Sequence, residues 1–125
     1  LRVLIFMVLA LPLVACVTKG ELPYITAEGE RKTACQTEYS GAPSVDMFAV
    51  EYILSYCAKK AAERGNVILD QTLLSMDLAI PVAPNGKPWT FEYATALHRA
   101  GKLTDKEYGY IIAYIDLGLN GAPST

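Results

Sequence analysis

The stretch VTKGELPYITAEGERKTA, residues 17–34, decides how this chain of 125 residues is built. It mixes charge, Gly and Pro without apolar periodicity, and such a composition buries too little surface to order itself independently. The expectation is therefore a flexible tether over 16–34. Everything after it reads as helix, so the expected fold class is mainly α: a small helical domain over residues 35–120, of three to four helices with a C-terminal helical hairpin and one disulfide, and a short tail at 121–125.

Upstream, residues 3–15 (VLIFMVLALPLVA) carry no charge. At 13 residues the run is shorter than the roughly 20 that a membrane-spanning helix needs. It reads as the apolar region of a secretory signal, with Arg2 left from the basic region and small residues at the cleavage point. Leu13-Val14-Ala15-Cys16 resembles the lipobox of bacterial lipoproteins, which implies a signal peptide over 1–15, lipidation of Cys16 and anchoring in a membrane. The acyl chains would hold firmly, because each buried methylene contributes about 0.8 kcal/mol. An ordinary signal peptide with an incidental cysteine and an uncleaved anchor are the alternatives. The residue after Cys16 is Val17 rather than the Asp typical of inner-membrane retention, which favours the outer membrane. Removing residues 1–15 leaves 10 basic against 13 acidic residues, a net charge of −3. No basic patch suggests nucleic acid.

Downstream, PSVDMFAVEYILSYCAKKAAERGN (residues 43–66) predicts an amphipathic helix with Ser44 as cap and Gly65 as stop. Val50, Ile53, Leu54, Cys57 and Ala61 share one face; Glu51, Ser55, Lys59 and Glu63 repeat on another. A second helix is expected from Asp70 to Ala79, with Asp70 capping it and Asp77 in its last turn, where an acid opposes the helix dipole. Asp77 then needs a compensating partner, either backbone N–H groups beyond the helix or a basic side chain, unless it serves an envelope partner. The turn APNGKP follows. Thr90 caps a helix running to about Ala100, stopped by Gly101, and Thr104-Asp105-Lys106-Glu107 is a capping box for a last helix. Its apolar stripe is Tyr108, Ile111, Ile112, Ile115 and Leu119.

With Cys16 assigned to lipid, Cys35 and Cys57 remain as a disulfide pair for an oxidising compartment. Chemistry-bearing motifs are sparse: His98 is the single histidine, and neither G-x-S-x-G, H-E-x-x-H nor a glycine-rich phosphate loop occurs. No cofactor, metal site or catalytic residue is expected. His98 shares a helical face with Phe91, Ala94 and Thr95 and reads as a structural histidine.

Two elements of the chain resemble a known family. Tyr39-Ser40-Gly41 followed by Asp46, and LDQTLLSMDL (residues 69–78) with Asp70, Leu73, Leu74 and Asp77, resemble the YceK/YidQ lipoproteins, small bacterial envelope proteins of unknown function. The likeness covers about a third of the chain. Ser75 stands where that family has proline, Gln71 where it has threonine, and Arg64-Gly65-Asn66 replaces its Pro-Leu-Ser. The resemblance implies a lipoprotein and no activity. The expected function is a membrane-anchored envelope lipoprotein that binds or scaffolds an unidentified partner from the periplasmic side. A small periplasmic hydrolase or cell-wall-modifying enzyme using carboxylates such as Asp70 and Asp77 is the alternative.

Overall fold

The computed structural model describes residues 17–121; Cys16 and the signal and lipobox reading lie outside them. Its architecture is mixed, which corrects the mainly α expectation. Strands β1 (Val17–Ile25) and β2 (Arg31–Ser40) form an antiparallel hairpin, followed by α1 (Pro43–Glu63), a two-residue β3 (Val67–Ile68), a one-turn α2 (Thr72–Ser75), α3 (Phe91–Arg99) and α4 (Asp105–Asp116). The sheet order is β2-β1-β3. The stretch expected to be a tether is thus a structural layer.

The hairpin closes through Thr26, whose backbone N–H donates to the Glu30 carbonyl at 2.8 Å and whose hydroxyl accepts from the Glu30 N–H at 3.1 Å. Gly29 supplies the left-handed residue of the turn, φ +84°. The strands are hard to see in sequence because a bulge interrupts their alternation. Gly20 pairs with Thr37 but Leu22 with Ala34, so Cys35 and Gln36 together oppose Glu21. Ala34 on one side of the bulge and Thr37 and Tyr39 on the other consequently share the helix-facing side, a switch of parity. Among the described residues Cys35 is the non-glycine residue with positive φ, +52°, and it forms the disulfide with Cys57 across a Cα–Cα distance of 6.3 Å.

Helix α1 is the axis of the molecule and is covered on three sides. The sheet packs closely on it: a Cβ on Gly20 would lie 2.5 Å from Val50 Cγ1. Leu22, Ala58, Ala61, Ile68 and Leu73 form one core cluster. On a second side α4 crosses at close range, since a Cβ on Gly109 would fall 2.7 Å from the Val45 carbonyl. Ala49, Tyr52, Ile53, Tyr110 and Ala113 fill that contact, with Tyr52 and Tyr110 edge to face at 5.0 Å. The third side is closed by α2 and the segment after it. Ser55, expected on the polar stripe, is therefore fully buried, and its hydroxyl donates to the Leu73 carbonyl at 2.6 Å. The half-buried Lys59 donates to the Met76 carbonyl.

The helix expected over 70–79 shrinks to the single turn of α2, because Met76 turns extended at ψ +136°. Asp77 accordingly lies beyond the end of α2, in irregular chain. The C-terminal helical hairpin follows the expectation: Thr90 accepts from Tyr93 N–H, and Thr104 and Glu107 form the reciprocal capping box. Ala83, Trp89, Ala94, Leu103 and Ile111 make its core. The Trp89 indole donates to the Pro81 carbonyl at 2.8 Å, fixing the long connection onto the hairpin.

Candidate functional site

A cleft of about 480 Å³ opens where the far end of the hairpin meets the second half of α1. Four of its side chains follow from helix periodicity, because Tyr56, Lys60 and Arg64 recur every fourth residue and Cys57 lies beside them. Leu22 and Tyr24 come from β1, and Cys35 from the bulge of β2. Asn66 enters from the turn after α1, where Gly65 (φ +87°) reverses the chain and the Asn66 N–H returns to the Ala61 carbonyl at 3.1 Å. The disulfide is one wall of the cleft.

Tyr24, Tyr56, Lys60, Arg64 and Asn66 thus line one cleft together with Leu22 and Ala61. Lys60 Nζ stands 5.7 Å from the Tyr56 ring centroid and 3.7 Å from the Glu63 carboxylate, in an exposed position where the ion pair is screened and open to exchange. Lys60 and Arg64 also complement the negative C-terminal end of α1. Such a set can stack a flat ring and hold an anionic group beside it.

A larger open depression of about 610 Å³ follows the bulge, lined by Lys19, Gly20, Glu21, Gln36, Thr37 and Glu38. No aromatic side chain lines it, so the cleft at the disulfide offers the better surface for stacking.

The residues singled out in the sequence lie elsewhere. Asp70 accepts from the N–H and the hydroxyl of Thr72, at 3.2 and 2.6 Å, rather than capping at Leu73. Asp77 accepts the Ala79 N–H at 2.9 Å in a local turn. The His98 Nε2–H donates to the Asp105 carboxylate at 2.8 Å, and the ring stacks on Tyr108 with ring centroids 4.2 Å apart. Tyr108 in turn shares a 2.9 Å hydrogen bond with Thr95. These four clamp α3 to α4. The acid that stands in a last turn with a compensating partner is Asp116, which accepts the Tyr39 hydroxyl at 2.6 Å. Burial, and then that hydrogen bond, push the Tyr39 phenol above its ordinary range.

Of the sequence expectations, only the Cys35–Cys57 pair contributes to the cleft. Tyr24, Lys60, Arg64 and Asn66 were outside them; the i, i+4, i+8 recurrence of Tyr56, Lys60 and Arg64 is the signal that points there. Among the described residues no group of three or more His, Cys, Asp and Glu side chains is arranged to hold a metal ion. Among them, too, no helix is long and apolar enough to cross a membrane. No family model, curated protein or solved structure matches the chain.

Proposed function

We propose that this chain is a cell-envelope lipoprotein, anchored through lipid on Cys16 in the outer membrane and facing the periplasm, that works as a binding module. The cleft at the disulfide carries the binding part of this reading: its rings and cations suit a ligand that joins a sugar-like ring to an anionic group. Cell-wall muropeptides have that chemistry, with the C–H faces of the sugar rings stacking on Tyr24 and Tyr56 and the stem-peptide carboxylates meeting Lys60 and Arg64. The anchoring part is supported by the apolar run and Leu13-Val14-Ala15-Cys16, and the disulfide fits an oxidising compartment. The likeness to the YceK/YidQ lipoproteins belongs to this same reading.

Titrating the purified protein with soluble muropeptides tests the cleft. Binding that weakens with added salt and disappears in the Lys60→Glu, Arg64→Glu double variant is the expected result. Equal affinity in that variant, with its fold intact, would remove the cleft from the reading.

A further inference from the structure

We infer that the end of the domain opposite the cleft, made of Val17, residues 40–44 and Met47, rests directly on the anchoring bilayer, and that the cleft is held away from it. The inference builds on the lipoprotein reading, but its geometry comes from the fold.

Strand β1 begins at Val17, the residue bonded to Cys16. No slack separates the two, since consecutive Cα atoms are about 3.8 Å apart. An acylated Cys16 therefore brings the starting end of β1 to the headgroups. Helix α1 runs in the same direction as β1: Gly20 faces Val50 and Leu54, whereas Leu22 packs with Ala58 and Ala61. The first turn of α1 consequently lies at the same end as Val17. Met47 precedes Val50 and Leu54 by three and seven residues, so it shares their sheet-facing side one turn nearer that end.

The surface chemistry separates in the same way. Val17 and Met47 are apolar yet 37 % and 46 % exposed; Val67 and Leu69 at the far end of the sheet are exposed as well, at 56 % and 46 %, so it is charge rather than apolar exposure that separates the two ends. Residues 40–44, which pair with Val17 at Ser40 and lead into α1, read SGAPS, without a charge, and all are exposed. Of the two acids that flank them at two residues' distance, Asp46 is buried, its carboxylate accepting the Ala42 N–H at 3.1 Å, and Glu38 is exposed. Further in, the next charges are Lys19 opposite Glu38, and Asp116 at Tyr39. At the other end, Glu28, Glu30, Arg31, Lys32, Glu63 and Arg64 are all exposed. An uncharged end with protruding apolar side chains suits the bilayer interface, and a charged end suits water.

Two rulers give the height of the cleft. From Val17 to Tyr24 the strand rises about 23 Å, at roughly 3.3 Å per residue. From Met47 to Arg64 the helix rises about 26 Å, at 1.5 Å per residue. With β1 and α1 upright on the bilayer, the ligand of the cleft is met well beyond the headgroups, which suits a wall polymer and not the anchoring lipid.

The test uses the full chain purified with its lipid and reconstituted in phosphatidylcholine vesicles. The photoreactive residue p-benzoylphenylalanine is placed at Met47 in one variant and at Arg64 in another, both exposed positions, with circular dichroism and disulfide content verifying the fold. Mass spectrometry of the N-terminal peptide reads the anchor separately. Lipid adducts from position 47, with position 64 at the unirradiated background, are the expected result. With acylated Cys16, adducts absent at 47 or equal at the two positions would overturn the seat and leave the anchor standing. An unacylated Cys16 in envelope-expressed protein would overturn both.

Discussion

The molecule holds two hairpins that solve one problem in opposite ways. The strand hairpin, residues 17–40, depends on distant chain: a disulfide to α1, close packing of Gly20 on Val50 and Leu54, and a tyrosine hydroxyl on Asp116. The helical hairpin, residues 90–116, secures its ends from within, by Thr90, by the Thr104–Glu107 box and by the His98, Asp105, Tyr108 and Thr95 clamp. Local ties act whether or not the rest has folded. Distant ties require α1 in place, so the strand hairpin has little stability of its own; isolated two-stranded hairpins are marginal in water. The difference matters for function, because the cleft lies on the hairpin that depends on α1.

The largest effect should come from cutting the strongest distant tie. The Cys35→Ala, Cys57→Ala double variant loses a link closing a loop of 22 residues in sequence separation, worth about 3 kcal/mol in the chain-entropy model. Chemical denaturation should show a loss of that order, and hydrogen exchange should accelerate in β1 and β2 more than in α4. Uniform acceleration over both hairpins would show that they are not different in kind.

Next is the tie between the two regions. Tyr39→Phe removes the 2.6 Å hydrogen bond to Asp116, a bond to a charged acceptor at a partly exposed site, at a cost of about 1 to 2 kcal/mol. It also carries a pH signature. The Tyr39 phenol is raised in the folded state, so its contribution is complete below the ordinary tyrosine value of about 10 and is lost as pH rises above it. Wild-type stability should fall across that alkaline range, and the Tyr39→Phe variant should fall less steeply in a pH series of thermal unfolding. Equal slopes would place the alkaline loss on Tyr52 and Tyr110, whose phenols burial also raises.

Thr104→Ala tests the local side of the comparison. Losing the hydroxyl that accepts the Glu107 N–H at 3.1 Å should cost about 1 kcal/mol. The loss should appear in the first turn of α4 and leave exchange in the strand hairpin unchanged.

The same contrast explains what the sequence disclosed. Thr90, Thr104 with Glu107 and Gly101 announce a helical hairpin because each signal acts within four residues of its partner. Residues 17–40 announce nothing comparable. Gly20 is a glycine because α1 approaches it, Thr37 and Ala34 lie on one face because of a bulge, and Cys35 adopts φ +52° where Cys57 meets it. Each of these causes lies a dozen or more residues away or in an irregularity of the ladder, and so reads locally as a polar linker. Helix α1 was legible as a helix, but its burial on three sides was not; Ser55 looks solvated until Leu73 is laid over it. The cleft shares the defect, since only its α1 residues form a pattern in sequence and β1 and the Asn66 turn are brought to them by the fold.

Asp77 gives the smallest effect. Read as a residue in the last turn of a helix, it demands a buried partner and a large cost on removal. In the structure it is exposed, outside any helix, and its carboxylate accepts one exposed N–H, that of Ala79, at 2.9 Å. Water can take over that donor when the carboxylate is removed, so the desolvation penalty attached to a buried unpaired group does not arise. The segment is also tied on either side: Lys59 donates to the Met76 carbonyl, and the Pro81 carbonyl receives the Trp89 indole at 2.8 Å. Asp77→Ala should therefore cost about 0.5 kcal/mol, near the lower bound for a single hydrogen bond. Differential scanning calorimetry that finds a loss of several kcal/mol would mean that the connection after α2 depends on this one turn. An unchanged transition together with loss of an envelope phenotype would instead make Asp77 a contact residue, on a surface separate from the cleft.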